Sequence, residues 1–510
     1  MMMTMMMMVI LMIMVMTQLM TLTLTDAGEG KRLNTTSKKL QHLQVKNTNP
    51  PPGGVGECHL SPQLVAEIQG YQETVDHIID YVVHGGYKGQ AYHLLAELVD
   101  TFGHRLSGSK QLEDAIDWML EVARSEGLDN AYTEDVTVPV WVRNNESLWM
   151  TRPRLQELNM LALGRSVGTP PGGIRAEVLV VRDFKDLERQ AKKAAGKIVV
   201  YNSRWRNYHE AVQYRMSGAV RAAKVGAVAT LVSSLTPFSL NTPHTGYQTY
   251  GKSLVKIPAA YITVEDAAML ERMQRRGQKV EVVLTMGAQN SPATTSRNTV
   301  TEVKGREWPR QVVVVSGHLD SWDVGQGALD DGGGSVISWC SGVVLKRLGL
   351  RPRRTLRAVL FTGEEQHFLG GQAYFDRHQD EREKYQLILE SDTGTFTPRG
   401  LAFTGTQKAT CIMREILHLL QPINATQVCC CLTQVLAPMY GGPDITMWEK
   451  VGVPTGSLHS PDERYFWYHH SHGDTLSVIE SGLLDLCLAV WTVIAYVTAD
   501  ITHNLPHLSL

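Results

Sequence analysis

Between Leu60 and Gly127 apolar residues recur three and four positions apart, as in LVAEIQGYQETVDHIIDYVV and QLEDAIDWMLEVARSEG, and this period predicts amphipathic helices. From about 160 to 290 the pattern shortens. The β-like runs AEVLVV, GKIVVY, AVATLV, PAAYITV and KVEVVLTM are interleaved with the helical segments AVQYRMSGAVRAAKVG and EDAAMLERMQRRG. After Asn298 the strand-like runs NTVTEV, QVVVVSGH, LRAVLFTGEE and YQLILESDTG follow, with the helix-like SVISWCSGVVLKRLG and a second helix between the last three. Unbroken apolar strands that alternate with helices predict an α/β fold with a parallel sheet buried on both faces. Ligands bind such sheets beyond the carboxyl ends of the strands, so the polar residues that follow each strand are the ones to weigh.

The pattern divides the chain into five parts. Residues 1–27 begin with 25 uncharged residues whose apolar part runs only from about Met5 to Met16. A membrane span needs roughly 20 apolar residues, so this segment is expected to be a secretory signal peptide and no stable membrane span is expected. Residues 28–57, rich in Pro, Gly, Asn and Thr, are expected to be a pro-segment or linker. The catalytic domain is expected to comprise a helical part, 58–159, and a site-bearing part, 291–510, on either side of an inserted α/β module, 160–290, that holds few clustered acids or histidines.

With 49 basic and 51 acidic residues the chain is close to neutral, which argues against a nucleic-acid footprint. Entry into the secretory pathway makes Asn34, Asn145 and Asn424, each in an N-x-S/T triplet, candidate glycosylation sites. The seven cysteines form no C-x-x-C pair and are too few for a disulfide scaffold.

Candidate chemistry collects at the strand ends. His318 and Asp320 follow the all-valine run Val312 to Val315, Asp330 and Asp331 lie in the next loop, Glu364 and Glu365 follow AVLFTG, and Asp392 follows LILES. YHHSHGDT occupies 468–475. Taken singly, an H-x-D is an ordinary surface turn and a G-E-E an ordinary helix start. Brought together, the carboxylates would repel one another and raise each other's pKa values unless a cation lay among them. One histidine with carboxylate oxygens, and no cysteine, suits catalytic rather than structural zinc.

The number of candidates suggests two ions bridged by Asp330. His318 and Asp392 would complete one site; Glu365 and a histidine of 468–475 would complete the other. Glu364 is then left as a general base. Asp320 could accept the second ring N–H of His318. Asp331 is expected to serve the local backbone, and Asp323 to be a solvated loop residue. Glycines 332–334 permit a tight turn but lack the Lys-Ser/Thr of a phosphate loop.

The stretches GHLDSW, GALDDGGG, TGEEQ, ESDTG and HHSHGDT resemble the successive metal motifs of the zinc-dependent exopeptidase family that includes bacterial leucyl aminopeptidases. The resemblance runs from about Cys58 to the closing VWTVIAYVTAD, and IPAAYITVEDAAMLERM is similar to a protease-associated domain. It implies a phosphorylase/hydrolase-like catalytic domain with a protease-associated insert and two zinc ions. The ligands it implies are His318, bridging Asp330, Glu365, Asp392 and His470, with Glu364 as the base.

His470 is chosen over His469 and His472 by the family form H-[ST]-x-x-[DE]-T, with Ser471, Asp474 and Thr475 following. The resemblance further implies secretion with a removable pro-segment, presence in lysosomes and along the ER and Golgi route, homodimerisation, and hydrolysis of small peptides, chiefly dipeptides with free termini. QVCCCLTQVLAP, 427–438, departs from the family pattern and precedes Asp444, which matches a segment near the substrate pocket in relatives. A catalytically inactive receptor or adhesion ectodomain shares this fold. A complete ligand set is what separates the enzyme from it.

Overall fold

Valines 312–315 lie at the middle of an eight-stranded sheet in a computed structural model of the chain, which describes residues 58–253, 255–430 and 442–509. The strands run in the order Asn130–Val142, Gln289–Val303, Arg354–Phe361, Trp308–His318, Tyr385–Glu390, Thr455–His459, Gly400–Thr404 and Gln427–Cys430. Trp308–His318 is parallel to both of its neighbours. His318 stands opposite Phe361, and Ser316 opposite Glu390, so three strands end together. Glu364 and Asp392 follow those ends within three residues, which places the chemistry-bearing segments on one edge.

The valines alternate between two cores. Val313 and Val315 join the cluster made with the helices Gly333–Arg347 and Ser481–Asp500, while Val312 and Val314 pack with Phe361, Tyr374 and Trp448 on the other face. A strand covered on both sides has no polar face, which is why all four positions are apolar. Ser481–Asp500 is long and apolar enough to cross a membrane, yet residues 487–500 are all buried in protein. Its polar residues are matched inside the core: Trp491 Nε1 donates to Ser338 Oγ at 2.9 Å, and Thr492 pairs with Ser341 at 3.1 Å.

Two expectations are corrected. The sheet is mixed, because Gln289–Val303, which carries NTVTEV, runs antiparallel to Arg354–Phe361 and to Asn130–Val142. No crossover helix precedes it; the chain returns directly from the insert, and a direct return gives antiparallel pairing. The insert also begins earlier than 160. Its sheet runs in the order Gln156–Leu158, Glu146–Arg152, Glu281–Met286, Ile174–Val181, Ile198–Tyr201, Ala229–Ser233, Ala259–Ile262 and Met160–Ala162. The two strands at 146–158 are short and half polar, so the hydrophobic pattern did not mark them. Asn130–Val142 and Gln289–Val303 form a long ribbon whose far end, Val142 opposite Gln289, gives rise to the insert.

Residues 1–57, which hold the expected signal peptide, the expected linker and Asn34, and residues 431–441 lie outside the described residues. Asn145 and Asn424 are exposed. Cys58 and Cys411 form a disulfide that closes a loop of 353 positions, while Cys340, Cys429 and Cys487 are free. Replacing Cys58 with Ser is expected to lower unfolding stability by about 2–5 kcal/mol. Denaturant titration under non-reducing conditions measures this, and an unchanged midpoint would show that the cross-link contributes nothing.

Candidate metal centre

His318, wholly buried, is the last residue of its strand, and its Nδ1 lies 2.9 Å from the backbone carbonyl of Asp320. Donation to that carbonyl puts the ring proton on Nδ1 and leaves the Nε2 lone pair directed at acids. Nε2 is 3.2 Å from Asp330 Oδ1, 3.2 Å from Asp392 Oδ1 and 3.8 Å from Glu364 Oε2. The predicted role of Asp320 is therefore corrected. Its carbonyl, not its carboxylate, orients His318; the nearer carboxylate oxygen is 3.8 Å from Nδ1. That oxygen instead accepts the backbone N–H of Glu364 at 3.2 Å. Burial pushes the Asp320 carboxyl up to about 7.

Asp330 sits in the turn Ala328–Gly332 that leads into Gly333–Arg347. Its Oδ1 faces His318, and its Oδ2 is 3.3 Å from His470 Nε2. One carboxylate thus addresses two separate imidazoles. Asp474 holds the turn by accepting the N–H groups of Ala328, Leu329 and Asp330 at 2.9, 2.7 and 3.1 Å. Asp331 accepts from the backbone N–H groups of His318 and Gly334, the local service expected of it.

Glu364 and Glu365 enter the site beside these groups. Glu365 Oε2 is 3.0 Å from His470 Nε2. His470, at a φ of 60°, stacks on His469 with ring centroids 3.6 Å apart. His469 also faces Asp330, at 3.6 Å, but only His470 pairs with both Asp330 and Glu365. Two triads have ligand atoms close enough to share an ion, all within 4.8 Å: His318, Asp331 and Asp392, and Asp330, His469 and His470.

The electrostatics fit a cation. Burial, then Asp392 and Glu365, push Glu364 well above the usual carboxylate range, against the pull of His318. Burial opposes a charge on His318, yet Asp392 and Glu364 hold its pKa well above the usual value. Asp330 Oδ2 and Glu365 Oε1 are buried without a hydrogen-bond partner. Buried carboxylate oxygens left in this state are costly unless a cation takes them.

One further residue, Arg105, comes from the fold alone, and two that the sequence named, Asp323 and Asp444, take places other than those expected. Arg105, fully buried, donates to the carbonyls of Leu319, Gln326 and Gly327 at 2.7, 2.7 and 2.8 Å and so shapes the loop between His318 and Asp330. Asp323 is no solvated loop residue: Arg143 grips both of its oxygens, at 2.8 and 2.6 Å, and also donates to Ala162 and Thr245 of the insert. Asp444, expected near a substrate pocket, is wholly buried and accepts the N–H of Gly371 at 3.0 Å; burial pushes its carboxyl up to about 8. It braces the start of the helix Leu369–His378, just after Glu364 and Glu365. An isolated arginine and scattered acids have no spacing that would have announced these roles. Asp474 had one signal, its place in the H-S-x-x-D-T run.

The model of peptidase family M28 matches residues 298–495. Carboxypeptidase Q of Mus musculus is 50% identical over 444 residues, covering 87% of this chain and 93% of the relative. Carboxypeptidase Q of Homo sapiens is 50% identical over 445 residues, with 87% and 92% covered. Among solved structures, the peptidase M28 precursor from Shewanella amazonensis SB2B superposes with a TM-score of 0.81 at 32% identity, over 87% of this chain and 100% of that one. A zinc aminopeptidase from Bacillus subtilis shares the fold with a TM-score of 0.62 at 20% identity, over 82% of this chain and 97% of its own.

Proposed function

The chain belongs to peptidase family M28, the metallopeptidases that include carboxypeptidase Q, and from that premise we propose that it is a zinc exopeptidase acting on small peptides, chiefly dipeptides with free termini. Two zinc ions are part of this reading. His318 and Asp392 would hold one, Glu365 and His470 the other, and Asp330 both. The observation that carries it is the pose of Asp330, whose two oxygens lie 3.2 and 3.3 Å from two different histidines.

Bound zinc supplies Lewis acidity and brings the pKa of water near neutrality. The chain's own groups then move the proton. Glu364 lies 3.8 Å from His318 Nε2, next to Glu365, and is the acid that this ligand set leaves over. Its carboxylate takes a proton from water and returns it to the leaving amine. Asp320 anchors the Glu364 backbone, Asp474 the Asp330 turn, and the Asp320 carbonyl the His318 tautomer, so the acid and the ligands are held before substrate arrives. An inactive ectodomain would have no need for this complete set. Passage through the secretory route, to lysosomes or outside the cell, belongs to the same reading; the Cys58–Cys411 disulfide supports an oxidising compartment.

The test is a panel of free and terminally blocked dipeptides and tripeptides, assayed after chelation and after zinc is restored. Cleavage of unblocked dipeptides that is lost on chelation and recovered with zinc is expected. Activity indifferent to chelation, or no cleavage of any peptide, would overturn the reading.

A further inference from the structure

We propose that the insert is part of the metal centre: its residue Thr245 orients His470, and Arg143, clamped on Asp323, holds Thr245 in place. This rests on the zinc reading and adds two positioning residues, which act through a ligand.

His470 has to be held. Its φ of 60° is left-handed backbone, which a non-glycine residue keeps only where its surroundings impose it. Thr245 grips it twice. The Thr245 N–H donates to the His470 carbonyl at 2.8 Å, and the Thr245 carbonyl lies 3.3 Å from His470 Nδ1. Arg215 Nη1 is also near Nδ1, at 3.4 Å, but a guanidinium can only donate. With Nε2 facing Asp330 and Glu365 as a ligand's lone pair must, Nδ1 carries the proton and gives it to Thr245. The neighbouring residues continue the contact, since His244 and Ser471 form an antiparallel bridge.

The Thr245 hydroxyl ties this pair to the rest of the fold. Oγ1 donates to the Ala162 carbonyl at 2.8 Å and accepts from Arg143 Nη2 at 3.1 Å. Arg143 directly follows the ribbon strand Asn130–Val142, at the neck of the insert, and its donors are divided between the two domains. Nε and Nη2 hold the two Asp323 oxygens at 2.8 and 2.6 Å, while Nη1 donates to the Ala162 carbonyl at 2.6 Å and faces Glu146 at 3.5 Å. Asp323 belongs to the loop between His318 and Asp330. One guanidinium thus fastens the insert to that loop on one side and to the partner of His470 on the other.

Burial gives the clamp its strength. The Arg143 and Asp323 side chains are 10% and 13% exposed, so water competes little for a charge-assisted, two-pronged pair. Trp322, next to Asp323, packs into the same seam. Its ring lies 5.6 Å from that of His470 and so close to Gly164 of the insert that a Cβ there would fall 2.2 Å away.

The experiment titrates zinc against a competing chelator in wild type, Thr245→Val, Thr245→Ser and Arg143→Lys, and follows amide deuterium exchange in the same proteins with and without zinc. Thr245→Val removes the hydroxyl at nearly constant shape, and Arg143→Lys keeps a cation beside Asp323 without the fork. Each should weaken one of two ions by about 10–100-fold and leave the other within about twofold, while Thr245→Ser behaves as wild type. In the zinc-free proteins the amides of 465–475 should exchange faster in Thr245→Val and Arg143→Lys, and those of Ile198–Tyr201 in the insert sheet should not change. Both ions held as in wild type, or both weakened alike as a general loosening of the fold would do, overturn the proposal.

Exchange separates this failure from that of the zinc reading. If wild type binds fewer than two ions, faster exchange over 465–475 in Thr245→Val still upholds the clamp, and unchanged exchange rejects it. Should Arg143→Lys not fold, Thr245→Val, which leaves the Arg143–Asp323 pair intact, decides alone.

Discussion

Glu364→Gln is expected to lower kcat by about 10²–10⁴-fold or more while metal content stays at the wild-type level. Glutamine keeps the shape of the side chain but cannot accept and return a proton. The contact that seats the residue is its backbone N–H on Asp320, which the substitution leaves intact. The proposed ligands, His318, Asp330, Glu365, Asp392 and His470, do not include this side chain, so metal content is expected not to follow it. Turnover measured beside metal analysis on the same sample gives the result. Activity equal to wild type would remove Glu364 from the mechanism, and loss of metal together with activity would make it a ligand instead of a base.

Asp330→Asn should act in the opposite order, on metal first. Asp330 alone faces His318 with one oxygen and His470 with the other, and an asparagine amide would present a neutral oxygen to one and an N–H to the other. On the proposed two-ion reading, both ions would lose a charged ligand at once. Metal stoichiometry is expected to fall from about two per chain to below one, and kcat/KM by more than ~10³-fold. Near-neutral dialysis followed by elemental analysis reads the first quantity. Two ions retained by the variant would contradict the bridging role.

Much of this site is legible in the sequence. The strand-end rule placed His318, Glu364 and Asp392 on one edge because each follows an apolar run too continuous to be anything but a doubly covered strand. Charge repulsion among Asp330, Glu364, Glu365 and Asp392 then called for a cation. The choice of His470 came from the resemblance to a family, and the geometry adds that it is the histidine paired with both Asp330 and Glu365.

Other features were out of reach for identifiable reasons. Asp320 was expected to use its carboxylate, but the strand ends at His318 and it is the Asp320 carbonyl that meets Nδ1. Asp323 and Arg143 are 180 positions apart, Arg105 and Gly327 222, and Asp474 and Asp330 144. Nothing in local spacing reports on pairs so distant.

The sequence by itself determined which residues could carry the chemistry, because side-chain type and the period of the apolar runs are local properties. The tertiary structure alone decided what surrounds them: the direction of Gln289–Val303, the early start of the insert, the burial of Asp444, and the meeting of Arg215 with His470. Those depend on how the chain crosses itself, and hydrogen-bond direction and burial acquire values only once distant segments are packed together.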